Sequence, residues 1–306
     1  MTSKFIWING DLVPFEQATI PFLSPAFHYG LGVFEGIRCY NTETGPNIFR
    51  LREHMQRLVH SASILGFLDL PYGVAELEEA AKVTIRANEF AECYIRPVIH
   101  LAEGGMNLNI ASGKAYFGIA VWEWTAYLGK EAADKGVRCN VSTYTRHHLN
   151  SMMTKAKITG NYPNSVMAKT ESVRLGFDEA IMLDAQGYVA ECSSENIFII
   201  RDGVIYTPPS AAILEGITRE SVMILARGFG YEVLEQQMSR DQLYRADEIF
   251  MTGTAAEVIA ITEVDHRKIG SGRMGPITRQ LQDAYHETVR GKHARSATWC
   301  TPVSAG

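Results

Sequence analysis

Apolar and polar positions alternate along the first part of the chain in ways that predict both strands and helices. Two short apolar runs, 6–8 and 12–13, flank Asn9-Gly10-Asp11, which predicts a β-hairpin with a tight turn. Apolar residues recur at helical spacing over 51–65, and Gly66 follows where a helix is expected to end. Residues 74–88, which are acidic early and basic late as suits a helix dipole, predict a second helix, and buried strands are predicted over 93–101 and 116–124.

Residues 125–136 interrupt this pattern with a charged run and few large apolar side chains. We therefore predict a smaller N-terminal domain over 1–124, an interdomain loop over 125–136 and a larger C-terminal domain over 137–306. A helix-bearing loop inside a single domain would give the same pattern.

The remaining pattern predicts a second mixed α/β domain. Its expected strands are 137–144, 179–183, 188–190, 197–200, 204–207, 232–235, 248–251 and 259–264. Its expected helices are 163–175, 218–229 and 277–289. The tail from 291 to 306 has no clear periodicity and is expected to be loose.

Composition narrows the class of protein. The 306 residues are 46% hydrophobic and 21% charged, which is ordinary for a globular chain with a sizeable core. A net charge of −5 gives no general attraction to nucleic acid or anionic membranes, and no apolar stretch approaches the roughly 20 residues of a membrane span. Five scattered cysteines without a CxxC pair favour a reducing cytoplasm over a disulfide framework or a zinc site.

Several common catalytic motifs are absent from the sequence. It contains no HExxH, no Walker-type phosphate loop and no GxSxG elbow. The glycines of segment 30–36 miss the spacing of a dinucleotide fingerprint by one residue. The histidines do not cluster with carboxylates at ligand spacing, so no metal site is expected.

Four local signals do point to chemistry, and each also has an ordinary structural explanation. Gly216-Ile217-Thr218 opens a helix whose free N–H groups could hold a phosphate, or it is a capped helix start. The turn 252–256 could bind an anion at a strand end, or pack under a helix. Lys155 and Lys157 would share one side of a strand and one would lower the other's pKa, although two solvated lysines give the same pattern. Glu191 follows an apolar strand, where it needs a cationic partner if buried, or it is an exposed glutamate at a strand end.

Separate motifs, in this order, resemble those of the branched-chain amino acid aminotransferases, which belong to the fold-type-IV family of pyridoxal-phosphate enzymes. The resemblance runs from about Phe5 to about Arg290. It is carried by HYGLGVFEGIRCY (28–40), FRLREHMQRL (49–58), YIRP (94–97), AYLG (126–129), KITGNY (157–162), GYVAECSSENIF (187–198), EGITRE (215–220) and MTGTAAEV (251–258). It implies a mixed α/β fold of two domains with pyridoxal 5'-phosphate in the cleft between them.

The resemblance gives the local signals roles. Lys157 matches the catalytic Schiff-base lysine, and Lys155 becomes its neighbour. Tyr162 matches the residue that hydrogen-bonds the cofactor's ring hydroxyl, and Glu191 the carboxylate that keeps the pyridine nitrogen protonated. The phosphate contacts that it implies are Arg57, Ile217, Thr218 and Thr254.

The substrate pocket carries the subfamily assignment. Tyr94 and Arg96 resemble the branched-chain enzymes more than the D-amino-acid aminotransferases or the (R)-amine transaminases. The resemblance implies that Tyr94, Thr254 and Ala255 hold the α-carboxylate, and that Arg96 receives the side-chain carboxylate of glutamate. The expected pocket wall is Tyr29, Phe34, Trp124 and Tyr127. An aromatic wall suits leucine, isoleucine and valine by apolar contact.

The implied reaction is ping-pong transamination of branched-chain L-amino acids with 2-oxoglutarate. The expected partners are these small molecules and a second copy of the chain, in a homodimer or larger homo-oligomer whose loop 104–107 completes the neighbouring pocket. The alternatives are a transaminase for D-amino acids or (R)-amines, an aminodeoxychorismate-type lyase, and a non-catalytic vitamin-B6 carrier. The family's proline-containing segment before the lysine is replaced here by Arg146–Met153, which leaves the path of that loop open.

Overall fold

The computed structural model describes residues 3–103, 106, 108–109, 113–124 and 131–304. The chain divides into two compact units, one of residues 1–124, 156–161 and 288–306 and the other of residues 125–155 and 162–287. The sequence-based boundaries placed 156–161 and 288–306 with the C-terminal domain, whereas both segments cluster here with the first unit. The KITGNY motif is therefore divided between the units after Asn161.

The first unit is an antiparallel sheet with two long helices (elements are numbered along the whole chain). Its strands are β1 (Phe5–Ile8), β2 (Asp11–Pro14), β3 (Gly32–Phe34), β4 (Ile37–Thr42), β5 (Gly45–Phe49), β6 (Cys93–Glu103), β7 (Lys114–Trp122) and β17 (Cys300–Pro302). Its helices are α1 (Pro25–Tyr29), α2 (Leu51–Leu65), α3 (Val74–Asn88) and α9 (Ser296–Trp299). The strand order is β17-β5-β4-β6-β7-β1-β2, with β3 on β6.

Local signals of the sequence account for several of these elements. The turn between β1 and β2 places Asn9 at φ 48° and Gly10 at φ 109°, the left-handed pair that Asn-Gly favours in a two-residue hairpin. Helix α2 has the predicted bounds and ends at Gly66 in a left-handed cap with φ 99°. Its buried apolar side chains include Met55 and Leu58, which belong to the core of this unit.

The C-terminal tail is ordered, so the expectation of a loose segment after residue 291 was wrong for its described part. Cys300 pairs with Phe49, which makes β17 the edge strand beside β5. Trp299 is 7% exposed and packs edge-on against Phe49, and Val303 lies in the core. A strand of three residues and two isolated apolar side chains leave no periodicity, so only tertiary contacts reveal this element.

The second unit is a mixed sheet flanked by helices. Its strands are β8 (Val137–Val141), β9 (Glu179–Leu183), β10 (Val189–Cys192), β11 (Asn196–Arg201), β12 (Val204–Thr207), β13 (Val233–Glu235), β14 (Glu248–Gly253), β15 (Glu257–Val264) and β16 (Arg267–Lys268). Its helices are α4 (Ala132–Lys135), α5 (Tyr162–Arg174), α6 (Ile217–Gly228), α7 (Arg240–Tyr244) and α8 (Pro276–Val289). The order β10-β9-β8-β15-β14-β11-β12-β13 includes parallel pairs at β8–β9, β8–β15 and β12–β13.

Two further observations bear on the class of protein. The cysteines are all free thiols, and four of them are buried. Among the helices of the described ranges, none combines the length and the apolar character that crossing a bilayer requires. The expectation of a cytoplasmic protein stays a prediction.

Candidate active site

The backbone of Lys157 is fixed by two hydrogen bonds within the first unit. Its N–H donates to Ser61 Oγ of α2 at 3.1 Å, and its carbonyl oxygen accepts from the N–H of Phe34 at 3.0 Å. The next residue, Ile158, forms a bridge with Val33. Lys157 Nζ lies 5.0 Å from the centroid of the Phe34 ring. The β3 segment therefore sets the position from which the lysine side chain extends.

Two glycines allow the segments on either side of this lysine to meet. Gly30 has φ 65°, and a Cβ built on it would lie 2.7 Å from the Cα of Gly160. The N–H of Gly160 and the hydroxyl of Thr159 both donate to the carbonyl oxygen of Gly30. The HYGLG and KITGN motifs are thus in direct backbone contact, which explains why glycine stands at each position.

The side chain of Arg96 is surrounded by aromatic rings. Its guanidinium carbon lies 4.7 Å from the ring centroid of Phe34, 5.4 Å from that of Tyr94 and 5.7 Å from that of Trp122. Its Nε is buried and has no hydrogen-bond partner among the described residues. Lys157 Nζ and Arg96 contact the same Phe34 ring, so a donor that can receive an anion lies close to the lysine.

The predicted pocket aromatics are partly assembled around Tyr94. Trp124 stacks on the Tyr94 ring at 4.5 Å between centroids, although it lies beyond the end of β7 and not in the strand predicted over 116–124. Gly36 gives the Tyr94 hydroxyl its room, since a Cβ there would lie 1.9 Å from that oxygen. Tyr29 is 41% exposed, and its hydroxyl donates to the carbonyl oxygen of Met106 at 3.4 Å. Tyr127 lies outside the described residues.

Arg57 is held by a carboxylate that the sequence analysis did not single out. Its Nε and one terminal nitrogen donate to the two oxygens of Glu35 at 2.6 and 2.9 Å. His54 Nδ1 donates to Glu35 as well, at 2.8 Å. Burial raises the pKa of Glu35, but the charges of Arg57 and His54 and their hydrogen bonds outweigh it and hold that pKa well below its usual range. The fork fixes the plane of the Arg57 guanidinium.

Replacing Glu35 by glutamine is expected to lower the free energy of unfolding by about 3–5 kcal/mol at pH 7, because it removes the buried carboxylate that pairs with the partly buried Arg57 and with His54. A glutamate in the unfolded chain has a pKa of about 4.3, and the folded pKa of Glu35 is lower. The contribution of Glu35 to stability is therefore fully present above about pH 4.3 and is lost progressively as the pH falls toward the folded pKa. The difference between wild type and Glu35→Gln in urea unfolding should therefore shrink below about pH 4. A difference that is constant from pH 7 to pH 3 would contradict the assignment.

In the second unit Glu191 is buried and paired with a cation. Its Oε1 accepts from Arg146 Nε at 2.5 Å, and its Oε2 accepts from the N–H of Leu214 at 3.3 Å and from Asn196 Nδ2 at 3.4 Å. Arg146 opens the segment whose path the sequence left undetermined. The burial that the sequence made conditional on a cationic partner is therefore observed together with that partner.

His147 supports Arg146 from the other side. Arg146 donates a terminal N–H to His147 Nδ1 at 3.1 Å. Burial and the positive charge of Arg146 lower the pKa of His147 to about 4, so the imidazole is neutral at pH 7 and can accept this bond. The His147-His148 pair, which gave no metal signal in the sequence, thus contributes one acceptor to the Glu191 network.

The start of α6 lies against Asn196. Its N-cap is Gly216, which has no side chain to cap the helix, and the first N–H groups have no partner within the helix. A Cβ on Gly216, the residue before it, would lie 1.9 Å from Asn196 Oδ1. Asn196 pairs with Thr252 across β11 and β14, and Thr252 Oγ1 is buried without a hydrogen-bond partner among the described residues. The start of α6 and the beginning of the 252–256 turn therefore both lie next to Asn196.

The spacing of Lys155 and Lys157 in segment 154–157 predicted that they share one side of a strand. This prediction was wrong. The segment is a turn and bend, and the chain passes from the second unit to the first between Lys155 and Ala156. Lys155 Nζ donates to the carbonyl oxygens of Ser210 and Ile213. Lys155 therefore has partners of its own, which the neighbour role did not anticipate.

Comparisons with known proteins agree with the family resemblance found in the sequence. The model of the family described as amino-transferase class IV matches residues 32–264. The chain belongs to the class IV aminotransferases. It is 49% identical to the branched-chain-amino-acid aminotransferase of Pseudomonas aeruginosa over 97% of both chains.

Solved structures resemble this class IV aminotransferase over nearly its whole length. The Escherichia coli branched-chain amino acid aminotransferase is 42% identical with a TM-score of 0.96, covering 99% of this chain and all of that one. The branched-chain amino acid aminotransferase of T.th. has a TM-score of 0.94 in a complex with 4-methylvaleric acid, at 46% identity, and in a complex with N-(5'-phosphopyridoxyl)-L-glutamate, at 47% identity. In both comparisons the similarity covers 99% of this chain and 99% of the solved chain.

These comparisons confirm the resemblance, the mixed α/β fold class and the expectation of an aminotransferase. They do not favour the D-amino-acid, (R)-amine, lyase or carrier alternatives. The roles of individual residues stay predictions. Of the predicted set in the aminotransferase, Phe34, Tyr94, Arg96, Trp124 and Lys157 form one group of ring and cation contacts. Tyr162 lies at the start of α5.

Three residues that position these groups were missed in the sequence analysis. Glu35 lies inside the VFEGIR motif, and Asn196 inside ECSSENIF, but neither carried a signal separate from its motif. Arg146 was noted only as the start of an unusual segment. Glu35 and Glu191 each need a cationic partner if they are buried. That requirement was the one signal in the sequence that pointed to arginine partners.

Proposed function

We propose that this class IV aminotransferase uses pyridoxal 5'-phosphate to transfer an amino group between branched-chain L-amino acids and 2-oxoglutarate. The observation that carries the proposal is the aromatic enclosure of Arg96 beside Lys157, with a buried Nε that has no described partner. Such a group offers apolar surface for a branched side chain and a cation for a carboxylate. The similar proteins described above, one of them solved with a branched acid and with a glutamate conjugate, support it.

The residues of the chain fit the cofactor. The N-terminus of α6, with Ile217 and Thr218, offers N–H groups to a phosphate, and the glycine before it lets the chain pack closely on Asn196. Arg57 presents a guanidinium whose plane Glu35 fixes. Glu191 is a buried carboxylate that can accept a hydrogen bond from the protonated ring nitrogen of the cofactor. When bound, the cofactor supplies an electron sink for the carbon that loses its proton.

In the proposed mechanism Lys157 has two tasks. Its Nζ would hold the carbonyl carbon of the cofactor, and would be set free when a substrate amine takes its place. Once free, this amine would take the α-proton of the amino acid and pass it to the carbon that the cofactor contributes, so that the amino group stays with the cofactor. The fixed backbone of Lys157, with hydrogen bonds to Ser61 and Phe34, restricts where the amine can reach.

Arg96 and its aromatic neighbours are proposed to serve two substrates in turn. A branched aliphatic side chain contacts the rings of Phe34 and Trp124, whereas the side-chain carboxylate of glutamate pairs with the Arg96 guanidinium. The tyrosine hydroxyl of Tyr94 lies 3.5 Å from an Arg96 nitrogen and can share that carboxylate. One pocket therefore accepts an apolar and an acidic side chain without changing its wall.

Substituting Arg96 by methionine is expected to reduce kcat/KM for glutamate and 2-oxoglutarate by about 100-fold or more, because a buried carboxylate loses its partner. The value for L-leucine should change by less than about fivefold, since methionine keeps the apolar contacts. Single-turnover half-reactions with each amino acid measure the two values separately. Lys114→Met, which removes another cation facing a ring of the same unit, is the matched control. Equal losses for leucine and glutamate would assign Arg96 to the α-carboxylate instead.

The function itself is tested by visible absorbance of the purified protein. L-Leucine alone should bleach the band of the bound cofactor, and 2-oxoglutarate should restore it. Bleaching by D-alanine or (R)-1-phenylethylamine instead would move the chain to another branch of the family. A protein that cannot be reconstituted with pyridoxal phosphate would overturn the proposal.

We also propose that the chain assembles with a second copy of itself. The segment before and within α1 exposes a cluster of large apolar side chains, with Phe22 75%, Phe27 68%, Leu23 65% and Ile20 58% exposed. Monomeric proteins rarely leave such a surface uncovered. The loop 104–107, expected to complete a neighbouring pocket, lies outside the described residues except for Met106. Sedimentation velocity measures the assembly, and a monomer at micromolar concentration would exclude it.

A further inference from the structure

We propose that Lys155 is a positioning residue that holds the 210–216 segment, and with it the start of α6, in register for the phosphate of the cofactor. The inference rests on the proposed function, which assigns that phosphate to α6. It gives a task to the lysine that the motif comparison left as a neighbour of Lys157.

Residues 154 and 155 together satisfy the carbonyl oxygens of one short turn. Residues Ser210–Ala212 form a single 3₁₀ turn. Lys155 Nζ donates to the carbonyl oxygens of Ser210 and Ile213, the second at 3.3 Å. The hydroxyl of Thr154 donates to the carbonyl oxygen of Ala211 at 3.1 Å. Three links therefore fasten this turn to the segment that leads to the catalytic lysine.

The fastened turn continues directly into two parts of the proposed cofactor site. Leu214 donates its N–H to Glu191, and its carbonyl oxygen accepts from Asn196 at 3.0 Å. Gly216 then packs on Asn196, and α6 begins at Ile217. A shift of the turn would move the first N–H groups of α6, because only two residues separate Ile213 from Gly216.

The interaction is more than an exposed ion pair. Lys155 also lies 3.1 Å from Glu215 Oε1, but that carboxylate is 59% exposed and such pairs contribute little. The carbonyl contacts are different, since one of them is to Ile213, which is fully buried, and a buried backbone oxygen needs a hydrogen-bond partner within the protein. From the other side Arg219 donates to the carbonyl oxygen of Pro208 at 3.0 Å, so Lys155 holds the middle of a loop whose beginning is already tied.

The test compares cofactors with and without the phosphate. Cofactor-free wild type, Lys155→Met, Lys155→Arg and Lys135→Met are titrated with pyridoxal phosphate and with pyridoxal. Lys135→Met is the matched control, because Lys135 is an exposed lysine of the same unit paired with Glu131. We expect Lys155→Met to weaken pyridoxal phosphate binding about tenfold and pyridoxal binding by less than about threefold, with Lys155→Arg recovering most of the loss.

Hydrogen exchange on the cofactor-free proteins provides a second readout. The amide of Leu214 should exchange faster in Lys155→Met than in wild type or Lys135→Met, because its segment is no longer fastened. Unchanged exchange, or equal losses of affinity for both cofactors, would overturn the inference. If wild type itself binds pyridoxal as tightly as pyridoxal phosphate, the proposed function fails. The exchange of the Leu214 amide then still reports whether Lys155 holds the 210–216 segment.

Discussion

Replacing Lys157 by alanine is expected to abolish transamination, with kcat reduced by at least about 10⁴-fold. The proposed mechanism uses the amine both to bind the cofactor carbonyl and to carry the α-proton, so no neighbouring group can replace it. Lys155 is the nearest lysine in sequence, but its amine is engaged with the carbonyl oxygens of Ser210 and Ile213. The overall reaction with L-leucine and 2-oxoglutarate measures the loss.

The loss can be separated from misfolding because two hydrogen bonds that fix this segment are made by the backbone of Lys157. The bonds to Ser61 and Phe34 use the backbone of Lys157, and alanine keeps both. We therefore expect the melting temperature of the cofactor-free variant to stay within about 2–4 °C of wild type. Lys157→Arg should be equally inactive, since it retains the charge but not the nucleophile. Residual turnover within about 100-fold of wild type in either variant would refute the lysine assignment.

Periodicity in the sequence was enough for elements that are built from local contacts. Helix α2 ends at Leu65 because Gly66 can adopt φ 99°, and the β1–β2 turn forms because Asn9 and Gly10 both accept positive φ. These causes lie within a few residues of their effects, so a single chain carries them. The β17 strand is the opposite case, since its partner β5 lies about 250 positions earlier and nothing local marks it.

The candidate site divides in the same way. Motif resemblance gave predicted roles to Lys157, Arg57 and Glu191, because the type of residue at each motif position limits its chemistry. It could not give their supports. Glu35 binds an arginine 22 positions away, and Arg146 binds a glutamate 45 positions away. Such pairings depend on which strands become neighbours, and that information is distributed over the whole sheet.

Exchanging Glu191 for glutamine is expected to lower kcat by about 100- to 1,000-fold while much of the cofactor stays bound. A carboxylate keeps a proton on the ring nitrogen, and an amide does not, so the electron sink weakens. The proposed phosphate contacts through Arg57 and α6 do not involve residue 191 and should retain the cofactor. Absorbance of the purified variant measures occupancy, and single-turnover kinetics with L-leucine measures the rate.

Glu195→Gln is the matched control, four residues along the same segment. Burial and the negative charge of Glu179 raise the pKa of Glu195 to about 8, so this buried carboxyl is largely protonated at pH 7 and glutamine is close to it in shape and charge. We expect nearly wild-type rates from it, because the mechanism gives Glu195 no task. A wild-type rate in Glu191→Gln would contradict the electron-sink role.

One ambiguity of the Glu191 exchange can be removed by a second substitution. Glu191→Gln leaves Arg146 buried without its counter-charge, and a displaced arginine could disturb the site by itself. The double variant Arg146→Met, Glu191→Gln removes that cation together with its partner. If the rate stays low in the double variant, the missing carboxylate is the cause. If the rate returns, the loss in the single variant came from the unpaired arginine, and Glu191 acts by neutralising the charge of Arg146 and not by holding the ring proton.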